Sequence, residues 1–266
     1  MFLVDSHCHL DRLDLTPHGG DLEAALQAAR DNGVGHFLCV SIGMANFPEV
    51  LRIAREHPDV SASVGVHPNE QEDSEPDVDR LVALAADPEV VAIGETGLDY
   101  FRSEGDLEWQ RDRFRTHIAA ARRTGKPLII HMREATEGTL RILREEGADA
   151  VGGVMHCFVE DWDTARAALD LNFHISFSGI VTFNSARALQ DVARRLPAER
   201  MLVETDSPYL APVPKRGKPN QPAWVRHVAE FIAGLREEPL EQIAETTTAN
   251  YFRLFGGGEA RASEIA

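Results

Sequence analysis

The chain of 266 residues is 43% hydrophobic and 26% charged, and its formal net charge is -16. This length and composition fit a large globular core in one or two domains, and no apolar run reaches the roughly 18 residues of a membrane span. The acidic balance argues against function through long-range attraction to duplex phosphates. Any nucleic-acid substrate must therefore be held by local cations.

The first residues and the cysteines bear on where the protein works. Asp5 and His7 come too early for an export signal with a basic segment and an apolar core. Cys8, Cys39 and Cys157 lack the spacing of a disulfide framework, so we interpret them as reduced structural residues. We therefore expect a cytoplasmic protein.

Apolar segments of strand length alternate with amphipathic segments along the whole chain. The strand-like segments are, in order, FLVDSH, HFLCVSIG, SASVGVHP, VVAIGETG, PLIIHM, GGVMHCF, FHISFSGI and MLVETDSP. The helical segments between them are DLEAALQAARDNG, FPEVLRIAREHP, VDRLVALAAD, DLEWQRDRFRTHIAAARRTGK, TEGTLRILREEG, DWDTARAALDLN and SARALQDVARRL. Two further helical segments, PAWVRHVAEFIAGLRE and LEQIAETTTANYFRLF, follow the last strand.

This alternation predicts an α/β fold. Near-continuous apolar strands indicate burial on both faces, which is typical of a parallel sheet, and eight β/α units are the number that closes a barrel. We predict one TIM-type (β/α)8 barrel, a single domain over residues 1–255, with a flexible tail over 256–266. An open doubly wound sheet is the alternative, because periodicity does not show closure.

Metal-binding side chains recur where the predicted strands end, and the carboxyl ends of barrel strands are where active sites form. These side chains are His7, His9, His67, Glu95, His131, His156, Glu204 and Asp206. Residues two apart share a face of a strand, so we expect Asp5, His7 and His9 to point together, and likewise Glu204 and Asp206. A rim of imidazoles and carboxylates is costly to desolvate without a cation, which predicts a metal site.

Each of these residues also has a plainer interpretation. A single histidine at a strand end is more often a hydrogen-bonded structural residue than a ligand. His67 has three open roles, which are metal ligand, substrate contact and packing. Only the whole set favours a metal site over these alternatives.

Seven ordered motifs resemble those of the TatD family of metal-dependent hydrolases, within the amidohydrolase-like barrels. The motifs are DSHCHLD, VGVHPNE, IGETGLDY, LIIHMRE, MHCF, ISFSGIVTF and VETDSPYLAP, followed by RGKPNQP. They cover nearly the whole chain. The string HMREA stands where the family commonly has HTRDA, so Glu134 departs from the usual Asp without touching a predicted ligand.

The resemblance implies a divalent-metal-dependent deoxyribonuclease that cleaves phosphodiester bonds of DNA, and some relatives act as exonucleases from the 3′ end. It implies one cation held by His7, His9 and Asp206, a bridging Glu95, and a second cation held by His131 and His156. The two cations would activate a water molecule for attack. Their identity, Mg, Mn or Zn, stays open.

Catalysis is assigned to Asp206 with Glu95. Asp206 is the candidate general base, and the equal alternative is a ligand without a proton role. Glu204 and Asp99 are predicted to orient the ligands, with a salt bridge and a turn, respectively, as alternatives. Tyr100 and Phe101 could stack a base, with packing as the alternative.

Substrate contacts are predicted for His67, Arg133, Lys215 and Arg216, because the three cations offer local positive charge on an acidic chain. Solvated surface cations are the alternative. The expected partner is DNA or a nucleotide, with no membrane and no obligate protein partner. Two other functions stay open: hydrolysis of another ester, lactone or amide, and a non-catalytic barrel that binds a metal or a partner.

Overall fold

The computed structural model describes residues 1–71 and 75–256. Each apolar segment forms a strand, so the eight predicted strands are confirmed. The strands are β1 (Leu3–Cys8), β2 (Val34–Cys39), β3 (Val60–Val64), β4 (Val90–Asp99), β5 (Leu128–Arg133), β6 (Gly153–Met155), β7 (Phe173–Phe177) and β8 (Met201–Val203).

The amphipathic segments form the predicted helices. They are α1 (Leu22–Arg30), α2 (Phe47–Glu56), α3 (Val78–Ala85), α4 (Glu108–Thr124), α5 (Thr136–Glu145), α6 (Trp162–Asp170), α7 (Arg187–Arg195), α8 (Val225–Arg236) and α9 (Leu240–Phe255). Two of them begin at aspartates that cap free backbone N–H groups. The carboxylate of Asp21 accepts from Glu23 N, and that of Asp77 accepts from Arg80 N.

The strands form one sheet in the order β1-β2-β3-β4-β5-β6-β7-β8. Pairing is parallel from β3 through β7. A parallel bridge between Cys8 and Ser207 joins the end of β1 to the segment after β8. This order with a joined first and last strand is the TIM-type (β/α)8 fold, so the fold prediction is confirmed and the open doubly wound alternative is wrong.

The strands are buried as their apolar composition requires. Every residue of β1, β3 and β7 is buried. Large aromatic side chains fill the interior, among them Phe37 and Phe173, which are fully buried. Each such side chain contributes roughly 1.5–3 kcal/mol through burial, which makes the strands a rigid support for side chains at their ends.

Contacts within the chain define two compact units. Unit I comprises residues 1–38, 159–162 and 176–256, and unit II comprises 39–71, 75–158 and 163–175. The single domain over 1–255 stays a prediction, and the predicted tail lies outside the described residues from position 257 onward. Among the described helices, none has the length and apolar character needed to cross a bilayer.

Candidate metal centre

A glutamate of β4 contacts several histidines of unit II. The Oε1 atom of Glu95 lies 3.0 Å from His131 Nδ1, 3.0 Å from His156 Nε2 and 3.5 Å from His67 Nε2. His67, Glu95 and His131 each offer one ligand atom, and these atoms lie within 4.8 Å of one another. The group is therefore positioned to bind a metal ion.

Close pairing of β4 with β5 fixes Glu95 relative to His131. Gly97 pairs with His131, and a Cβ atom at Gly97 would lie 2.0 Å from the carbonyl oxygen of His131. Any side chain at this position would force the two strands apart, which explains the glycine in the GETG motif. Two residues before Gly97, the backbone N–H of Glu95 donates to the carbonyl of Ser41 at 2.9 Å.

Asp99 orients His131 from the side away from Glu95. The Nε2 atom of His131 lies 3.1 Å from Asp99 Oδ2, which also accepts from Asn69 Nδ2 at 2.7 Å. With the Nε2 proton donated to Asp99, the lone pair on Nδ1 faces the carboxylate of Glu95. That contact is repulsive unless a proton or a cation lies between the two atoms, so the donor set fits a metal ion.

The pKa values in unit II follow from these contacts. Burial alone would raise the pKa of Glu95, but the neighbouring His156, His67 and His131 hold it well below its ordinary value. Burial would likewise raise the pKa of Asp99, and hydrogen bonds from His131, Arg102 N and Asn69 hold it below its ordinary value. Both carboxylates are therefore anionic at neutral pH.

The pKa of His131 shifts in the opposite direction to the pKa values of Glu95 and Asp99. Burial would lower its pKa, but the hydrogen bonds to Asp99 and Glu95 raise the pKa above the ordinary value. Without an ion the imidazole therefore tends to hold a proton on Nδ1. A metal ion at Nδ1 must displace that proton.

His67 is held in one tautomer. The backbone N–H of Asn69 donates to His67 Nδ1 at 3.0 Å, so neutral His67 carries its proton on Nε2. The Nε2 atom lies 3.2 Å from His131 Nδ1. The role of His67 as metal ligand, substrate contact or packing residue stays open.

Helix α4 supports the segment that carries His67. His117 Nε2 accepts from the backbone N–H of Val66 at 3.0 Å, and Arg113 donates to the carbonyl of His67 at 2.8 Å. His117 also bonds the carbonyl of Arg113 through Nδ1 at 2.8 Å. Nothing in the sequence marks these two side chains, because helical spacing does not show which loop packs on a helix.

Unit I holds the other predicted ligands. His9 Nε2 lies 3.4 Å and His7 Nε2 lies 3.7 Å from Asp206 Oδ1. The two imidazole rings are nearly perpendicular, with centroids 5.1 Å apart. Backbone hydrogen bonds hold the two segments together, since Asp206 N donates to His7 O at 2.9 Å and His9 N donates to Ser207 O at 2.8 Å. Asp206 Oδ1 therefore lies close to one nitrogen of each imidazole, and the predicted binding of one cation by these three residues stays a prediction.

Two strands end before the predicted ligands that follow them. β8 ends at Val203, so Glu204 and Asp206 lie beyond the strand, and Asp206 has a φ of 55°. β1 likewise ends at Cys8, one residue before His9. Beyond the strand ends, backbone bonds between the two segments help to position His9 and Asp206, and His7 and His9 lie near the same oxygen of Asp206, as predicted.

Asp5 ties β1 to the segment after β8. Its carboxylate accepts from Thr205 N at 2.8 Å and contacts Thr205 Oγ1 at 2.5 Å. Burial raises the pKa of Asp5 to about 8. Glu204 is fully buried, and its backbone N–H donates to the carbonyl of Phe177 at 3.1 Å. The orienting role of Glu204 stays a prediction.

The three predicted substrate cations all lie against aromatic rings. The guanidinium of Arg133 lies 3.9 Å from the ring centroid of Phe101, and that of Arg216 lies 4.1 Å from the centroid of Phe183. Lys215 Nζ lies 5.6 Å from the ring of Trp224. The part of the chain that the structure describes contains no salt-bridge partner for these three cations. Their contact with substrate stays a prediction.

The predicted ligands thus form two sets. Unit I holds His7, His9 and Asp206, and unit II holds Glu95, His131, His156 and the neighbouring His67. That both sets serve one two-metal site, with Glu95 bridging, stays a prediction.

Comparison with known proteins gives the same family over almost the full chain. The TatD related DNase family matches residues 4–256. An uncharacterized metal-dependent hydrolase of Escherichia coli K12, YcfH, is 49% identical over 265 residues and is covered completely, as is this chain. YabD of Bacillus subtilis, described in the same words, is 41% identical over 254 residues, with 95% of this chain and 98% of YabD covered.

A solved structure supports the same family assignment. The crystal structure of YjjV, a TatD homolog of Escherichia coli K12, matches with a TM-score of 0.88 at 30% identity, covering 95% of this chain and 97% of YjjV. A (β/α)8 fold with these histidine and carboxylate sets defines a metal-dependent hydrolase. The chain belongs to the TatD family.

Proposed function

We propose that this metal-dependent hydrolase is a deoxyribonuclease that cleaves phosphodiester bonds of DNA with the help of two divalent cations. The observation that carries the proposal is the contact between His131 Nδ1 and Glu95, with Asp99 on the other ring nitrogen, because it leaves a nitrogen lone pair and a carboxylate facing each other. The name of the matching family, TatD related DNase, supports DNA as the substrate.

The residues that would hold the cations are His7, His9 and Asp206 in unit I, and Glu95, His131 and His156 in unit II. Divalent cations supply Lewis acidity to a phosphodiester and lower the pKa of water. Mixed nitrogen and oxygen donors accept Zn or Mn, and the carboxylates and a phosphate substrate also accept Mg.

Side chains of the protein would accept the proton, contact the phosphate and orient the ligands. Asp206 is partly exposed, so its carboxylate can reach a water molecule and accept a proton as general base. His67 presents its Nε2 N–H, which would donate to a non-bridging phosphate oxygen. Asp99 keeps the ring of His131 in one orientation and tautomer.

The basic side chains favour a phosphodiester over a neutral ester, lactone or amide. Arg133, Lys215 and Arg216 form no salt bridges within residues 1–71 and 75–256, although the chain carries a net charge of -16. Cations left unpaired on an acidic protein suit an anionic substrate. A neutral substrate would make no use of them.

The substrate class can be tested directly. Protein stripped of metal by a chelator and refilled with Mg, Mn or Zn should cleave end-labelled single-stranded or duplex DNA, with product release from the 3′ end. The same preparations should be slower on neutral aryl esters, lactones and amides. Hydrolysis of those substrates with no cleavage of any phosphodiester would contradict the proposal.

The proton role of Asp206 has a matched control. Asp206→Asn should lower kcat by roughly 100- to 10,000-fold while metal stays bound, as expected for loss of a general base. Asp191→Asn makes the same change at an exposed carboxylate that pairs with Arg195 on α7, and it should leave kcat unchanged. Full activity of Asp206→Asn with bound metal would assign Asp206 no proton role.

A further inference from the structure

An exposed aromatic ring lies beside the ligand set of unit II. Phe101 follows β4 and is 54% exposed, and the guanidinium of Arg133 stacks on its ring. Arg133 is the last residue of β5 and comes two residues after His131. Because alternate residues of a strand point to the same face, Arg133 and His131 share one face of the sheet.

The carboxylate of Asp99 links the backbone of Phe101 to His131. Its Oδ1 atom accepts from the backbone N–H groups of Phe101 at 3.0 Å and Arg102 at 2.9 Å, while its Oδ2 atom contacts His131 Nε2 at 3.1 Å. The backbone N–H of Tyr100, which lies between Asp99 and Phe101 in the chain, donates to the carbonyl of Arg133 at 3.0 Å. The backbone that carries the ring is therefore anchored by the same side chain that orients a predicted metal ligand.

Within the described parts of the chain, no carboxylate forms a salt bridge with Arg133. Nearby arginines of unit II behave differently, since Arg111 and Arg115 on α4 each donate to Glu108 at 2.8 Å. Arg133 forms no such pair in the described residues and is stacked on Phe101 instead. A stacked guanidinium keeps its in-plane N–H groups available, and these match the geometry of a phosphate.

We propose that Phe101 and Arg133 form a nucleotide subsite, in which a base of the DNA substrate stacks on Phe101 and an adjoining phosphate pairs with Arg133. This inference rests on the proposed function. Base stacking on aromatic rings tolerates any sequence, because every base has a π face. The subsite would therefore hold a nucleotide next to the scissile phosphate without selecting its base.

The test uses the metal-loaded protein and a single-stranded oligonucleotide with phosphorothioate linkages, which resist hydrolysis, carrying one 2-aminopurine. Stacking on Phe101 should quench the 2-aminopurine fluorescence. Phe101→Ala should abolish the quenching and raise Kd roughly tenfold, the loss of one base stack, and Phe101→Trp should preserve both. Replacing the 2-aminopurine by an abasic sugar should weaken binding to the wild type and leave Phe101→Ala unaffected.

Arginine variants test the phosphate contact. Arg133→Ala should raise Kd several-fold, whereas Arg195→Ala, which removes a guanidinium stacked on Trp162 but paired with Asp191, should bind like the wild type. Equal Kd values and equal quenching in Phe101→Ala and the wild type would overturn the subsite.

Cleavage measured in parallel separates the two proposals. DNA cleavage that does not depend on Phe101 would overturn the subsite alone. Absence of all cleavage, with stacking that depends on Phe101, would overturn the proposed function and leave the subsite standing.

Discussion

The two histidine sets differ in how carboxylates hold them. In unit II, Glu95 Oε1 lies 3.0 Å from two imidazole nitrogens, and Asp99 fixes the far side of one ring. In unit I, the Asp206 oxygen lies at the longer distances of 3.4 and 3.7 Å from its two imidazoles. Side-chain hydrogen bonds therefore help to organise the unit II set, and backbone bonds between two segments help to organise the unit I set.

This difference has a consequence for metal binding. In unit II the hydrogen bonds around Glu95 need protons that a cation must displace, so binding there should release protons and weaken as pH falls. The raised pKa of His131 acts in the same direction. In unit II, Asp99 orients His131, and Arg113 and His117 support the segment that carries His67.

The largest expected effect is a fall in kcat/KM on substitution of Glu95. Glu95→Gln removes the carboxylate charge that lies 3.0 Å from two imidazole nitrogens. We expect transition-state stabilisation to fall by several kcal/mol, which corresponds to about a 1000-fold fall in kcat/KM. Steady-state hydrolysis of a phosphodiester measures it. Glu108→Gln, at an exposed carboxylate of α4, should retain wild-type kcat/KM. Near-normal activity of Glu95→Gln would show that this carboxylate does not hold the metal.

The next largest effect is on the pH dependence of folding stability, through His117 on the helix that supports His67. Burial lowers the pKa of His117 to about 4 from 6.5. The unfolded chain therefore binds more protons between pH 6.5 and 4, and stability that is complete above pH 6.5 is lost as pH falls through this window, by about 3 kcal/mol at most. Urea unfolding of the wild type and His117→Gln from pH 7 to 4 measures the difference. Parallel pH profiles of the two proteins would refute this assignment.

A smaller effect is expected at Asp99. Asp99→Asn should weaken metal binding roughly 10- to 100-fold, as loss of a carboxylate that orients a ligating histidine usually does. Calorimetric titration with Mn or Zn measures the affinity. Asp106→Asn changes an exposed carboxylate of unit II and should leave the affinity unchanged. An unchanged metal affinity in Asp99→Asn would show that Asp99 does not orient a metal ligand and only holds the loop after β4.

The fold was predictable because its signal is local. Apolar runs on a period typical of buried strands mark all eight strands, and the amphipathic segments between them mark the helices. Strand ends were less predictable. GGVMHCF and MLVETDSP each continue past the three-residue strands β6 and β8, because each predicted segment also includes the ligand-bearing residues that follow the strand.

The site was predictable in its residue types and less so in its contacts. The spacing in DSHCHLD and the position of Glu95 identify candidate ligands, since metal-binding side chains are costly to bury otherwise. The tautomer of His67 depends on the backbone N–H of Asn69, and its support comes from Arg113. Such contacts join segments distant in the chain, and no periodicity encodes them.

The smallest expected effect is on the salt dependence of DNA binding, and it separates the cations of the two units. Arg216 in unit I and Arg133 in unit II are each stacked on a phenylalanine. If each neutralises one phosphate of a single strand, each alanine variant should reduce the slope of log K against log salt by about 0.7. Arg226→Ala, which removes an arginine paired with Glu230, should leave the slope unchanged. A reduced slope for Arg133→Ala alone would place the phosphate contact in unit II only, because counterion release counts the phosphates each cation neutralises.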